Sequence, residues 1–252
     1  MLKYRRLQLL LRRPSLLPVA VRRAFPIEAV ANDRECAHLV KSWSSGRLPR
    51  KAPIEVFPEI AQVSVIQRKP YARILGTAID LPETALIAAV LQAMPCRKML
   101  EIGTNDGYST LNWAANIPAG GSVVTVDLPV DKGPVARQAM GPNACDPNVV
   151  GRHFRGEPEE AAIRQVFADS QTMDWQSLGG PFDAIFIDGC HERGHVANDT
   201  RNALGVLAPQ GVLFWHDYGL IPDVSEAVDA AGLEAVAIHG TRLAAWRNRP
   251  VG

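Results

Sequence analysis

From about residue 80 onward, short apolar runs alternate with longer stretches in which apolar residues recur every three or four positions. The runs Arg97–Ile102, Ser122–Asp127, Ile163–Ala168, Phe182–Asp188 and Val212–Asp217 read as strands, and Phe182-Asp-Ala-Ile-Phe-Ile-Asp188 is apolar enough to be strongly buried. Between them, Thr84–Met94, Gly107–Asn116, Glu192–Leu207 and a segment near Asp223–Ala231 read as helices. Asp80-Leu-Pro-Glu83 is a capping box for the first helix, with Pro82 in the first turn, where a missing N–H costs little. Pro209-Gln-Gly211 is expected to stop the third helix and open a loop.

Strands alternating with helices imply crossover connections and a mostly parallel sheet. The last two runs, Glu234–Ile238 and Arg242–Trp246, are separated only by His239-Gly-Thr241. That is too short for a crossover, so they form a hairpin and one strand runs antiparallel. The expected fold is therefore α/β: a mostly parallel seven-stranded sheet with a C-terminal antiparallel hairpin and helices on both faces.

The first strand ends in Glu101-Ile-Gly103, and a turn with Asn105 and Gly107 leads into a helix. Glycines there let the backbone approach a ligand without a Cβ clash, and such loops at the first strand tip serve nucleotide-like cofactors. The pattern is Glu-x-Gly-x-Asn-x-Gly rather than the dinucleotide form Gly-x-Gly-x-x-Gly. A carboxylate at Glu101 suits a cationic cofactor and would repel a pyrophosphate. Asp127, closing the second strand, can accept both hydroxyls of a ribose, a device that several cofactors share.

Leu100-Glu-Ile-Gly-Thr-Asn-Asp-Gly-Tyr-Ser-Thr110 resembles motif I of class I S-adenosylmethionine (SAM) dependent methyltransferases, with Asn105 where that family usually has Gly. Ala168-Asp-Ser-Gln-Thr-Met-Asp-Trp175, Phe186-Ile-Asp-Gly-Cys-His191, Leu213-Phe-Trp-His-Asp-Tyr218 and Gly240-Thr-Arg-Leu-Ala-Ala-Trp246 are similar to the branch of small-molecule methyltransferases grouped as family 24. The likeness covers about residues 80–247 and implies a Rossmann-like sheet. It also implies that Gly103, Thr104, Gly107 and Tyr108 line the methionine part of SAM, with Glu101 and Ser109 also cofactor-binding. Asp127 would then hold the ribose, and Asp169 and Ser170 would lie near the adenine, with Asp188 also at the cofactor.

Asp188 follows the Phe182 strand, and His216-Asp217 follow the Val212 strand. If the strands are neighbours, Asp188, His216 and Asp217 converge on one point that would suit a cation. Two carboxylates favour Mg²⁺, and an imidazole shifts the preference towards Mn²⁺. Metal-dependent O-methyltransferases of catechols and macrolide sugars resemble this layout but place acids or amides at these tips, so His216 is a departure. His191, three residues past Asp188, suits a general base that takes the proton of an attacking hydroxyl near neutral pH. His195, a turn further on, reads as structural, Tyr218 as a candidate acceptor contact, and Trp175 and Trp215 as packing residues. Asp188 and His191 are thus the candidate catalytic pair for methyl transfer to a hydroxyl of a small sugar- or phenol-like molecule. The absence of an Asn/Asp-Pro-Pro-Tyr signature argues for oxygen over nitrogen. Two other classes fit parts of the pattern: a non-catalytic SAM-binding or scaffold protein, and an NAD(P)-dependent oxidoreductase.

Bulk properties add limits. Net charge is +1 over 252 residues, which gives no electrostatic argument for nucleic acid. The four cysteines form no CxxC pair or zinc spacing, consistent with reduced thiols in a cytoplasmic protein. No apolar run is long enough to span a bilayer. Residues 1–27 carry Lys3, Arg5, Arg6, Arg12, Arg13, Arg22 and Arg23 and no acid. The expected organisation is a basic arm or lid over residues 1–79 and a catalytic domain over 80–252. The arm could pack on the domain or on a second subunit in a homo-oligomer, stay disordered, touch a membrane surface through residues 1–23, or serve as a transit peptide.

Overall fold

The computed structural model describes residues 46–69, 79–94, 96–132 and 145–248. The expectations for residues 1–45, including the membrane-contacting or oligomer-forming arm, lie outside the described residues. In chain order the main elements are β1 (Arg50–Lys51), α1 (Pro53–Val56), α2 (Leu81–Ala93), β2 (Lys98–Ile102), α3 (Tyr108–Ala114), β3 (Ser122–Asp127), β4 (Ile163–Phe167), β5 (Phe182–Ile187), α4 (Arg193–Val206), β6 (Leu207–Trp215), α5 (Pro222–Asp229), β7 (Val236–Ile238) and β8 (Ala244–Arg247).

The strands form one sheet in the order β1-β7-β8-β6-β5-β2-β3-β4. All neighbours are parallel except those involving β8, which runs antiparallel to both β6 and β7. This is the expected Rossmann-like sheet with its C-terminal hairpin, widened by an eighth strand. That strand is only Arg50–Lys51, bonded along β7. Two charged residues carry no alternation, so the hydrophobic pattern could not announce it.

A second difference concerns Pro209-Gln-Gly211. Strand β6 begins at Leu207 and runs through these residues to Trp215. The pairing with β5 jumps from Phe182–Leu207 to Ala184–Val212, so the extra residues are absorbed as an irregularity instead of a loop. Gln210 takes a positive φ of 67° inside it.

The two faces of the sheet explain the apolar runs. Leu100, Ile102, Ile185, Ile187, Leu213 and Trp215 pack with Val196, Ala203 and Val206 of α4 and Val224 of α5. Their neighbours Met99, Ala184, Phe186, Val212 and Phe214 pack with Leu86, Ile87, Val90 and Leu91 of α2 and Trp113 of α3. Successive strand residues point to opposite faces, and here both faces are covered, so neither parity can be polar without a reason. Glu101, on the parity of Met99, is the charged exception, and it marks the site.

Candidate active site at the strand tips

Backbone bonds continue past the strand ends and set the tips side by side. Gly103 N donates to Val126 O, Asp188 N to Ile102 O and His216 N to Ile187 O. The tips of β2, β3, β5 and β6 are therefore in register, and ligands of open parallel sheets bind at this carboxyl edge.

The glycine loop is shaped by close approach. A Cβ on Gly103, whose φ is +104°, would lie 2.2 Å from the carbonyl oxygen of Asp188. Asn105 fills a left-handed position, φ 47°, which Gly would take without strain and Asn tolerates better than most residues. Asn105 N donates to Asp127 Oδ2 at 2.9 Å, and Leu128 N to Asp127 Oδ1 at 2.8 Å, so Asp127 anchors the loop and remains partly exposed. Burial raises the pKa of Asp127 against the pull of those amides.

Glu101 has no exposed surface. Ser109 Oγ donates to Oε1 at 2.5 Å, while Thr110 Oγ1 and Thr125 Oγ1 donate to Oε2 at 2.5 and 2.6 Å. Burial pushes its pKa up to about 7, and the three hydroxyls pull against that rise. The expectation that Glu101 faces a cationic ligand is altered in its physics, because its oxygens are occupied in clamping α3 to the strand tip. The hydroxyls of Ser109 and Thr104 are likewise engaged inside the protein. Thr104 Oγ1 lies 2.7 Å from Thr125 Oγ1 and accepts from Gln165 Nε2 at 2.9 Å. Tyr108 is buried, and its hydroxyl accepts from Gln67 Nε2 at 2.5 Å. Asp169 Oδ1 accepts from Gln171 N, and the Ser170 carbonyl accepts from Trp175 Nε1, which gives that packing indole a fixed partner.

At the tips of β5 and β6 the structure brings Asp188, His191, His216 and Asp217 together, as the sequence suggested, but with different partners. His216 is buried, with Nδ1 3.0 Å from Asp188 Oδ1 and Nε2 3.0 Å from Glu83 Oε2. Both ring nitrogens face carboxylates, so His216 is not available as a metal ligand, which corrects the expected triad. Burial alone would lower its pKa, but Asp188 and Asp217 raise it well above the usual histidine range. The group that can converge on a cation is Asp188, His191 and Asp217, with one ligand atom from each within 4.8 Å of the others. His191 Nε2 lies 3.5 Å from Asp188 Oδ1 and 3.5 Å from Asp217 Oδ2.

Two members of this cluster escaped the sequence reading. Glu83 does act as an N-terminal cap, accepting from Asp80 N at 2.8 Å, but its carboxylate also faces His216 and accepts from Arg242 N at 2.6 Å and Nη2 at 3.1 Å. Arg242 Nη1 donates to Asp217 Oδ1 at 2.8 Å. Burial would raise the pKa of Glu83, yet His216 and Arg242 overcome it and hold it near 2. For Asp188, likewise, burial is outweighed by His216 and His191, and the carboxyl sits well below its usual range. Arg242 lies in the segment read only as a hairpin strand, so the pattern gave no sign of its charge partner. Tyr218 is buried, accepting from Leu48 N at 2.9 Å and donating to Asp229 Oδ1 at 2.7 Å, and so ties the chain before β1 to α5 instead of facing an acceptor. His195 Nδ1 lies 3.4 Å from Glu192 Oε2.

A family model described as a methyltransferase domain, of the family 24 type, matches residues 100–218, the stretch from the glycine loop to the β6 tip. Over this stretch the chain is similar to a methyltransferase domain. Catechol O-methyltransferase B of Danio rerio is 24% identical over 145 residues, 57% of this chain and 50% of its own length. The chain therefore spans about half the length of this curated relative. The methyltransferase fold is shared with solved structures. An O-methyltransferase from Bacillus cereus in complex with SAH superimposes with a TM-score of 0.50 at 17% identity, over 68% of this chain and 83% of that one. The O-methyltransferase TomG from Streptomyces achromogenes, in complex with SAM, gives 0.50 at 16%, over 68% and 82%. Among the described residues, no helix is long and apolar enough to cross a membrane.

Proposed function

We propose that this chain transfers the methyl group of SAM to a hydroxyl of a small sugar- or phenol-like molecule, with His191 as the general base. The observation that carries the reading is the position of His191 Nε2, 3.5 Å from each of Asp188 and Asp217, beside the loop whose Gly103 lies against Asp188. The donor set suits SAM. Asp127 is a partly exposed carboxylate with lone pairs left for a ribose, Gly103 and Gly107 open the loop backbone, and Asp169 and Ser170 lie on the β4 side of the same edge. Glu101, Thr104, Tyr108 and Ser109 form the supporting wall of that pocket.

Bound there, SAM supplies an electrophilic methyl carbon and leaves as the neutral thioether S-adenosylhomocysteine. The acceptor oxygen would form the new C–O bond as the C–S bond breaks, and its proton would pass to Nδ1 of His191, the ring nitrogen opposite the Nε2–H that faces Asp188 and Asp217. Asp188 and Asp217 orient the ring and stabilise the imidazolium formed. Positioning of the two reactants supplies much of the remaining acceleration. Cytoplasmic location belongs to the same reading.

A second reading of the same site has a specific basis. Glu83, Asp188, Asp217 and Asp80 outnumber the cationic partners His216 and Arg242 among them. The excess negative charge favours a cation. The proton that His191 takes up would offset part of it, and so would Mg²⁺ or Mn²⁺ held by Asp188, His191 and Asp217, which would lower the pKa of the acceptor hydroxyl.

Calorimetric titration with SAM and S-adenosylhomocysteine tests the cofactor half, and no binding at millimolar concentration overturns it. Replacing His191 by Ala is expected to lower kcat about 10²–10⁴-fold. Unchanged kcat and pH profile in that variant refute the base. Turnover that survives exhaustive chelation favours the proton over the ion, and turnover restored only by Mg²⁺ or Mn²⁺ favours the ion.

A further inference from the structure

The turn between β5 and α4 has two chemically distinct sides. His191 points to Asp188 and Asp217. The residues on either side of it, Cys190 and Glu192, meet His195 from the first turn of α4. One ligand atom from each of Cys190, Glu192 and His195 lies within 4.8 Å of the others. None of the three belongs to the proposed proton-transfer site.

The donors decide what could bind. Thiolate, imidazole and carboxylate are the ligand set of Zn²⁺ and Co²⁺, whereas Mg²⁺ and Ca²⁺ take oxygen alone. With metal–ligand bonds of about 2.0–2.3 Å, ligand atoms on the edges of a tetrahedron lie roughly 3.3–3.8 Å apart. His195 Nδ1 and Glu192 Oε2 are already 3.4 Å apart. Cys190 is a free, partly exposed cysteine, so its sulfur can close the third corner with a side-chain adjustment while water takes the fourth. A further acid stands behind the group. Asp199, one turn after His195, is buried, interacts electrostatically with both Cys190 and His195, and has one carboxylate oxygen, Oδ2, without a hydrogen-bond partner. That negative field favours a cation and disfavours an anion.

We propose that Cys190, Glu192 and His195 form a regulatory transition-metal site of the zinc class, separate from the Asp188, His191 and Asp217 group. Because His191 is flanked on both sides by ligands, occupancy clamps the turn that carries it and slows turnover. The regulatory half rests on the base role proposed for His191, and the metal site itself does not.

Co²⁺ titrated into the metal-free full chain tests the site without an activity readout. The expected result is a thiolate-to-cobalt charge-transfer band with tetrahedral ligand-field bands at one equivalent, both displaced by Zn²⁺. The charge-transfer band is expected to vanish in Cys190→Ser and to need at least tenfold more Co²⁺ in His195→Ala. It should persist in Asp217→Asn, because Asp217 lies in the neighbouring group and supplies no ligand here. Absence of a thiolate band, or its persistence in Cys190→Ser, overturns the site. Should Cys190→Ser fail to fold, an unchanged Co²⁺ affinity in folded His195→Ala and Glu192→Gln overturns it equally. For regulation, zinc that inhibits the parent chain is expected to leave Cys190→Ser turning over. Equal inhibition of both, or no inhibition of the parent at saturation, overturns that half alone.

Discussion

Two glutamates lie buried near the same edge of the sheet, and their chemistry diverges. Glu101 on β2 is surrounded by the hydroxyls of Ser109, Thr110 and Thr125. Glu83 on α2 faces the charged groups of His216 and Arg242. Neither is more than 1% exposed. Yet burial drives the first up to about 7, while the second is held near 2 in spite of burial. Desolvation alone does not fix the state of a buried acid. Neutral donors only soften its cost, and full positive charges reverse it. The glycine loop is therefore supported by an acid poised to change charge near neutral pH. The tips of β5 and β6 rest on Glu83, whose charge stays fixed across that range.

The largest test removes the charged anchor. Glu83→Ala removes a buried carboxylate shared by His216 and Arg242; Asp188 and Asp217 remain beside them, so the loss is expected to be at most about 3–5 kcal/mol, that of a broken buried pair. Chemical denaturation at pH 7 should show that loss, and Glu83→Gln should recover only part of it, since an amide keeps a hydrogen bond but not the charge. A loss under about 1 kcal/mol, the scale of an exposed ion pair or a helix cap, would remove the contrast between the two glutamates.

Titrating stability separates them next, with opposite signs. Both groups have an ordinary value of 4.5. The raised group, Glu101, contributes stability that is full below pH 4.5 and declines as pH rises towards 7. The depressed group, Glu83, contributes stability that is present above 4.5 and is lost as pH falls towards 2. Each shift corresponds to about 3 kcal/mol over its window. Urea unfolding from pH 4.5 to 7.5, compared between the parent chain and Glu101→Gln, should show a decline in the parent that the variant lacks. Parallel curves would mean that the three hydroxyls hold Glu101 ionised throughout.

The strand runs were legible because a sheet covered on both faces must be apolar at every position, and the hairpin was legible because three residues cannot make a crossover. The convergence of Asp188, His191, His216 and Asp217 followed from the same topology. Which of them pair was not legible. Glu83 satisfied a local rule, the helix cap, and so concealed its long-range partners, 133 residues away at His216 and 159 at Arg242. Charge partners across such separations leave no periodic trace. Edge strand β1 was missed for a related reason, since its partner Ala237–Ile238 lies at the other end of the chain.

The smallest prediction concerns Asn105, the departure from Gly in the loop. Its left-handed φ of 47° costs Asn a fraction of what it costs other residues, and Gly would release that strain. Gly would also gain unfolded-state freedom worth about 0.5–1 kcal/mol. The backbone bonds are indifferent to the change, because Asn105 N still donates to Asp127 and its carbonyl still accepts from Gly151 N. Asn105→Gly should therefore shift stability by less than about 1 kcal/mol and leave the pH slope assigned to Glu101 intact. Thermal unfolding at pH 5 and pH 7.5 measures both. A slope that changes with Asn105 would place control of Glu101 in the loop backbone and shift the comparison from charge partners to conformation.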